Sequence, residues 1–212
     1  RGLFGPISGK VGNMVFVTRN GKCYVKSLPK RSDKPATEKQ IIQRAKFGMV
    51  MHFISPLSAL INDSYKLIDR KKTGTNVAVK QILTEAISGE YPKLKIDFAK
   101  VSLIRGHLAT PHATIMQPEG TDQLSFSWQM DKQFNAHSGD ELLVLIYCSS
   151  LSQFSYNPDL QIRRSEEACS IQIPPVFAGH ELHVWLAYRS EDHRSYSCSA
   201  YMGEVFIKNR QA

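Results

Sequence analysis

Between His107 and Lys208 one short run after another carries apolar residues at every second position, with turn residues between the runs. In "QLSFSWQM" Leu124, Phe126 and Trp128 fall on one side; in "ACSIQIPP" Cys169, Ile171 and Ile173 do so. "HELHVWLAYRS" places Leu182, Val184, Leu186 and Tyr188 together. A period of two marks a strand with one face against a core. "DELLVLIYCSS" is apolar in both phases, which suits a strand covered on both faces. "ATIMQ" opens the series, polar "FSYNPDLQIRRS" reads as an edge, and "SCSAYMGEVFIK" closes it. Seven such strands in about a hundred residues predict an antiparallel β-sandwich.

The front of the chain is built differently. "GKVGNMVFVTRNGKCYVKSLP" alternates around Asn20-Gly21, a pair suited to the positive φ angles of a type I′ turn, and predicts strands over about 11–18 and 22–28. Pro29 and Pro35 bracket a polar connector. Thr37 then fits a helix N-cap, with Glu38 in the first turn and Gln40 at the third position. Ile41, Ala45, Val50 and Phe53, flanked by Phe47 and Ile54, form its apolar face, and Pro56 ends it. Helical spacing returns in Leu57–Ile68 and Val77–Ile87, and Gly89 fits a C-terminal stop. "LKIDFAKVSLIRG" reads as a strand. The expected fold is α+β: a hairpin and about three helices over residues 1–105, then a sandwich over 106–212.

Charge follows the same division. Residues 1–105 hold 20 Lys and Arg against 7 Asp and Glu, a net of +13; residues 106–212 hold 7 against 12, a net of −5. Nine of the basic residues lie between Arg19 and Lys46. Such asymmetry fits two modules with different partners, or copies whose halves attract one another. No apolar run reaches the ~20 residues that span a bilayer. No secretory signal is visible, but the chain starts at Arg1 rather than Met, so the compartment stays open between the cytoplasm and an exported assembly. Cys23, Cys148, Cys169 and Cys198 lack any C-x-x-C spacing, which argues for buried free thiols rather than a zinc site or a disulfide framework.

Catalytic motifs fail on inspection. "FGPISGKVGN" resembles a phosphate loop, yet Phe4 stands where a Walker A loop needs glycine, Val11 follows the lysine, and a strand follows instead of a helix. His180 and His183, three apart on a strand, face opposite ways and read as surface or loop histidines. Asp192-His193 with Ser195 and Ser197 are neighbours on a hairpin loop, whereas a triad gathers residues from separated segments. Asp140-Glu141 and Glu166-Glu167 read as solvated turns. No metal or cofactor is expected. "VFVTRNGKCYVK" interleaves aromatics with basic residues, as stacking platforms for single strands do, though packing of the hairpin accounts for it as well.

The order of features in residues 109–208 resembles a fibronectin type III module: Trp128 on the second strand, Tyr188 late on the sixth, and a "PPVFAGHEL" corner between the fifth and sixth. "GPISGKVGNMVF" with "YVKSLP", "KPATEKQIIQRAKF" and "FAGHELHVW…AYMGEVFI" together resemble a family of unknown function common in Bacteroidota. The hairpin "VTRNGKCYV" departs from that pattern by lacking a tryptophan before its Lys-Gly. The resemblance implies no activity and brings no site residues.

These observations lead to a non-enzymatic structural subunit that associates with copies of itself or with a protein scaffold, as in a filament or particle. Its expected contact residues are Leu3, Phe4, Ile7, Arg19, Lys22, Lys26, Lys30, Arg31 and Lys34. The alternative is a nucleic-acid-binding protein that uses the basic segment 19–46.

Overall fold

A computed structural model describes residues 8–19, 21–30, 34–66, 72–116, 122–130, 133–157 and 161–207. Contacts divide the chain into two compact units, Arg1–Glu38 and Lys39–Ala212. The change in composition at 105/106 is therefore not where the contacts divide the chain, because the helices and the sandwich share a core.

In the first unit three strands form an antiparallel meander: β1 (Gly9–Val11), β2 (Met14–Arg19) and β3 (Lys22–Ser27). β2 and β3 are the expected hairpin, and Gly21 takes the positive φ of +73° that the turn requires. β1 was not expected. It pairs Val11 with Met14 across Gly12-Asn13, where Gly12 has φ +59°. The Leu28 N–H donates to Asn13 O at 2.7 Å and closes the open end.

The second unit begins with the helices. α1 spans Glu38–Ile54, starting one residue after Thr37 as expected. A 3₁₀ turn at Ser55–Leu57 admits Pro56, and α2 (Ser58–Tyr65) and α3 (Gly74–Glu85) follow. Thr73 caps α3, accepting from Asn76 N. Only the last turns of α1 bury apolar residues (Val50, Phe53 and Ile54), whereas Ile41 and Phe47 are exposed. The expected apolar face thus works over half its length. Gly89 does not stop a helix: α3 ends at Glu85, and Gly89, at φ +81°, turns the short hairpin β4 (Ile87–Ser88) to β5 (Lys95–Ile96). The strand expected through residue 105 is confined to β5. After a 3₁₀ turn at Phe98–Lys100 the backbone is irregular, though Val101, Leu103 and Ile104 are buried.

The sandwich comprises β6 (Ala113–Met116), β7 (Gln123–Trp128), β8 (Glu141–Cys148), β9 (Gln153–Tyr156), β10 (Ala168–Gln172), β11 (Glu181–Arg189) and β12 (Ala200–Phe206). Their order is β10-β7-β6 in one sheet and β12-β11-β8-β9 in the other, all antiparallel. This three-plus-four arrangement, with the sixth strand between the third and the seventh, is the fibronectin type III pattern. The fold is α+β, as expected.

Alternation on β8 and β11 sorts their side chains into two layers. Leu142, Val144, Ile146, Leu182, Val184, Leu186 and Tyr188 meet Leu124, Phe126 and Trp128 of the facing sheet. Leu143, Leu145, Tyr147, Trp185 and Ala187 point the other way, into a core shared with Phe53, Ile54, Leu57, Ile61 and Ile82 of the helical segment. Phe53 packs edge-on to Tyr147, with ring centres 4.9 Å apart. Polar ties reinforce this second layer. Trp185 Nε1–H donates to Val101 O at 3.1 Å, Ser199 Oγ accepts from Leu103 N at 3.0 Å, and Tyr196 O–H donates to Asp63 at 2.7 Å. Bonds from Lys66 and Tyr196 hold the Asp63 carboxyl below its usual pKa.

Candidate functional site

The N-terminal sheet is the first candidate. Every residue of this sheet whose exposure is described lies at least partly open to solvent, and so does every other such residue between Ser8 and Glu38. Register settles what each face carries, because directly paired residues share a face. One face holds Gly9, Val11, Met14, Phe16, Thr18, Cys23, Val25 and Ser27, none of them charged. Val11, Met14 and Val25 are each about half exposed, at 58%, 49% and 56%. Thr18 Oγ1 and Cys23 Sγ lie 3.3 Å apart, so this thiol sits on the surface, not in a core as expected of the cysteines. The other face holds Lys10, Val15, Val17, Lys22, Tyr24 and Lys26. No acidic residue occurs among the described residues 8–37.

Of the expected contact residues, Lys22 and Lys26 thus share a face with Lys10, which the sequence reading left out. Arg19 pairs with Lys22 at the backbone. Lys30 and Lys34 are exposed in the connector. Leu3, Phe4, Ile7 and Arg31 lie outside the described residues.

A second candidate is an open cleft of about 670 Å³ between the β7–β8 and β11–β12 loops, lined by His137, Asp140, Ser190, Glu191, Asp192 and Ser195 among others. Its Asp140 and Asp192 carboxylates, and the neighbouring Glu141, are held in structural contacts. Asp140 is not a solvated turn residue: it and Arg164 are each 1% exposed, with Arg164 Nη2 3.2 Å from the Asp140 carboxylate. The Arg164 guanidinium also lies 3.7 Å from the centre of the Tyr188 ring and donates to Ala109 O at 3.0 Å. Glu141 accepts two bonds from Arg189, at 3.0 and 2.6 Å, and lies 3.2 Å from His193 Nε2. Asp192 accepts from Ser190 Oγ at 2.5 Å and from Arg194 N at 3.1 Å, so it shapes its own loop, while His193 faces Glu141 rather than a serine. Ser197 is fully buried and accepts from Tyr188 N at 2.8 Å. Glu166 accepts from Arg163 N at 2.8 Å and Glu167 from Met130 N at 3.0 Å.

The histidines differ from expectation in one case. His183 is buried, its ring centre 4.0 Å from that of Phe98 and its Nδ1 2.9 Å from Tyr201 Oη. Burial lowers its pKa from 6.5, against the opposing pull of Glu204 and Glu181. His180 Nδ1 bonds Ser150 Oγ at 2.8 Å, a serine–histidine contact that sequence spacing gave no hint of. Among the described residues no carboxylate bonds its ring, so the orienting third group of a triad is missing there. No three His, Cys, Asp or Glu side chains gather in metal-binding geometry among the described residues. Nor is any helix among them long and apolar enough to cross a membrane.

The model of a family of unknown function, DUF6266, matches residues 6–203. Among solved structures the chain is similar to the FN1–FN3 domains of chicken CNTN1, at 9% identity and a TM-score of 0.35, over 50% of this chain and 34% of that one. It is also similar to the fn3 domain of the human collagen alpha-1(XX) chain, at 11% identity and a TM-score of 0.34, over 50% of this chain and 88% of that one. No curated protein matches. The sandwich assignment rests on strand order and register, not on these likenesses.

Proposed function

The chain belongs to DUF6266, a family of unknown function, and from that premise we propose that it is a non-enzymatic subunit of an assembly, held to neighbouring copies of itself through the N-terminal sheet. The observation that carries this reading is the uncharged face of that sheet, with Val11, Met14 and Val25 turned to solvent. A three-stranded sheet gains independent stability by covering an apolar face, and contiguous apolar surface marks interaction sites.

A second copy is the occupant for two reasons. The face bears no charge to repel its own kind or to select a charged partner. The +13 and −5 halves of successive copies also attract each other, which favours head-to-tail contacts that propagate. The non-catalytic part of the reading is supported by the use of Asp140, Glu141, Asp192 and Ser197 in structural bonds.

Sedimentation velocity over a range of protein and salt concentrations tests the proposal. The wild type forms concentration-dependent oligomers, and Met14→Glu with Val25→Glu dissolves them. A wild type that stays monomeric throughout, or oligomers indifferent to both substitutions, overturns it.

A further inference from the structure

We propose that the opposite face of the same sheet binds single-stranded nucleic acid. This goes beyond the assembly reading and uses the face that reading leaves open. Register gathers residues from three strands. Lys10, Val15 and Lys26 form one cross-strand row, and Val17 and Tyr24 form the next. Beyond them the backbone of Lys22 pairs with that of Arg19. Along β3 the order on this face is therefore Lys22, Tyr24, Lys26, each step about 7 Å. Tyr24 is 53% exposed, so its ring is open to stacking between two cations.

Three features select the ligand. First, none of Lys10, Lys22 and Lys26 has an ion-pair partner among the described residues, and the sheet supplies no acid to neutralise them. Second, an aromatic ring flanked by lysines at two-residue spacing matches the alternation of base and phosphate in an extended strand; stacking on a side-chain ring needs an unpaired base. Third, Val15 and Val17 keep the centre of the face low and apolar, so a base can lie on it while the lysines reach outward to phosphate. A duplex offers only its phosphates to such a surface.

Fluorescence anisotropy with labelled oligothymidylate, read against salt, tests the proposal. Neutralising three phosphates gives a slope of about −2 in log K against log salt, or roughly 16-fold weaker binding for a fourfold rise in salt. Lys10→Gln with Lys22→Gln and Lys26→Gln removes that salt dependence. Tyr24→Ala weakens binding about tenfold, and Tyr24→Phe restores it. Lys80→Gln with Lys93→Gln and Lys95→Gln removes equal charge from the second unit and leaves binding unchanged. All these residues are exposed or half-exposed, and circular dichroism checks that each variant folds.

Three results would each overturn the proposal: no binding at low salt, equal loss in both lysine sets, or duplex and heparin binding as well as the single strand with no effect of Tyr24→Ala. Met14→Glu retains binding, so a failed assembly test leaves this inference standing, and the reverse holds too.

Discussion

β3 and β8 are both antiparallel strands rich in apolar residues, and they meet opposite fates. Every residue of β8, Glu141–Cys148, is buried, whereas every residue of β3, Lys22–Ser27, is exposed. Backbone pairing does not separate them, since each is hydrogen-bonded to a neighbouring strand along its length. The difference lies in what the rest of the chain supplies. β8 is apolar in both phases because a second sheet covers one face and helices cover the other. β3 is apolar in one phase and largely basic in the other, and among the described residues of its unit no second layer covers it. A strand's sequence thus reports how many layers it was built to face, and β3 asks for one that the described residues of its unit do not supply.

The largest test of this contrast concerns the polar interior that only the layered region can hold. Asp140→Ala strands the Arg164 charge inside the protein, and urea denaturation should show a loss of about 3–5 kcal/mol. A loss below about 1 kcal/mol would mean that water reaches the guanidinium and that the buried pair is not what the geometry indicates. Next comes one substitution made in both sheets. Val144→Ala on β8, at 1% exposure, should cost about 2 kcal/mol through lost burial and the cavity left behind. Equal costs for Val144→Ala and Val25→Ala, whose residue is 56% exposed, would abolish the comparison.

The third test is pH. Burial depresses the His183 pKa, so as pH falls below 6.5 the unfolded chain takes up the proton before the folded one. Stability is therefore full above 6.5 and declines as pH falls from there towards the lowered folded value. Thermal midpoints from pH 7.5 to pH 5 should trace that decline in the wild type and flatten in His183→Phe; matching profiles would show that the ring is hydrated. The smallest effect is Val25→Ala itself, within about 0.5 kcal/mol on unfolding of a monomeric sample. Under the proposed assembly its larger effect would be on association, read by sedimentation velocity.

The seven sandwich strands were legible because turn residues separate short runs, most of them with a period of two, and β8 announced its two-sided burial by being apolar in both phases. Other features were not local. β1 contributes three residues, one of them glycine, too few to show a period. The segment after Ile96 alternates like a strand, but Leu103 and Ile104 donate their backbone N–H groups to Ser199, almost a hundred residues away. The candidate surface was half legible: Lys22 and Lys26 fall two residues either side of Tyr24 in plain view, while Lys10 joins them only through pairing with Val15. Arg164 gave no sign of being buried, since its partners Asp140, Ala109 and Tyr188 come from three separate segments. The one available signal for Asp140 was a pair of carboxylates, Asp140-Glu141, set flush against an apolar strand.

Helices roofing one face of the four-stranded sheet have a practical meaning for anyone who would cut this protein apart. Cleaved at the point where the sandwich begins, the C-terminal piece would carry Leu143, Leu145, Tyr147, Trp185 and Ala187 on its outside. Modules of this architecture can be strung like beads because both outer surfaces tolerate water. This one has exchanged that freedom for a permanent cap, and it travels only with its helices attached.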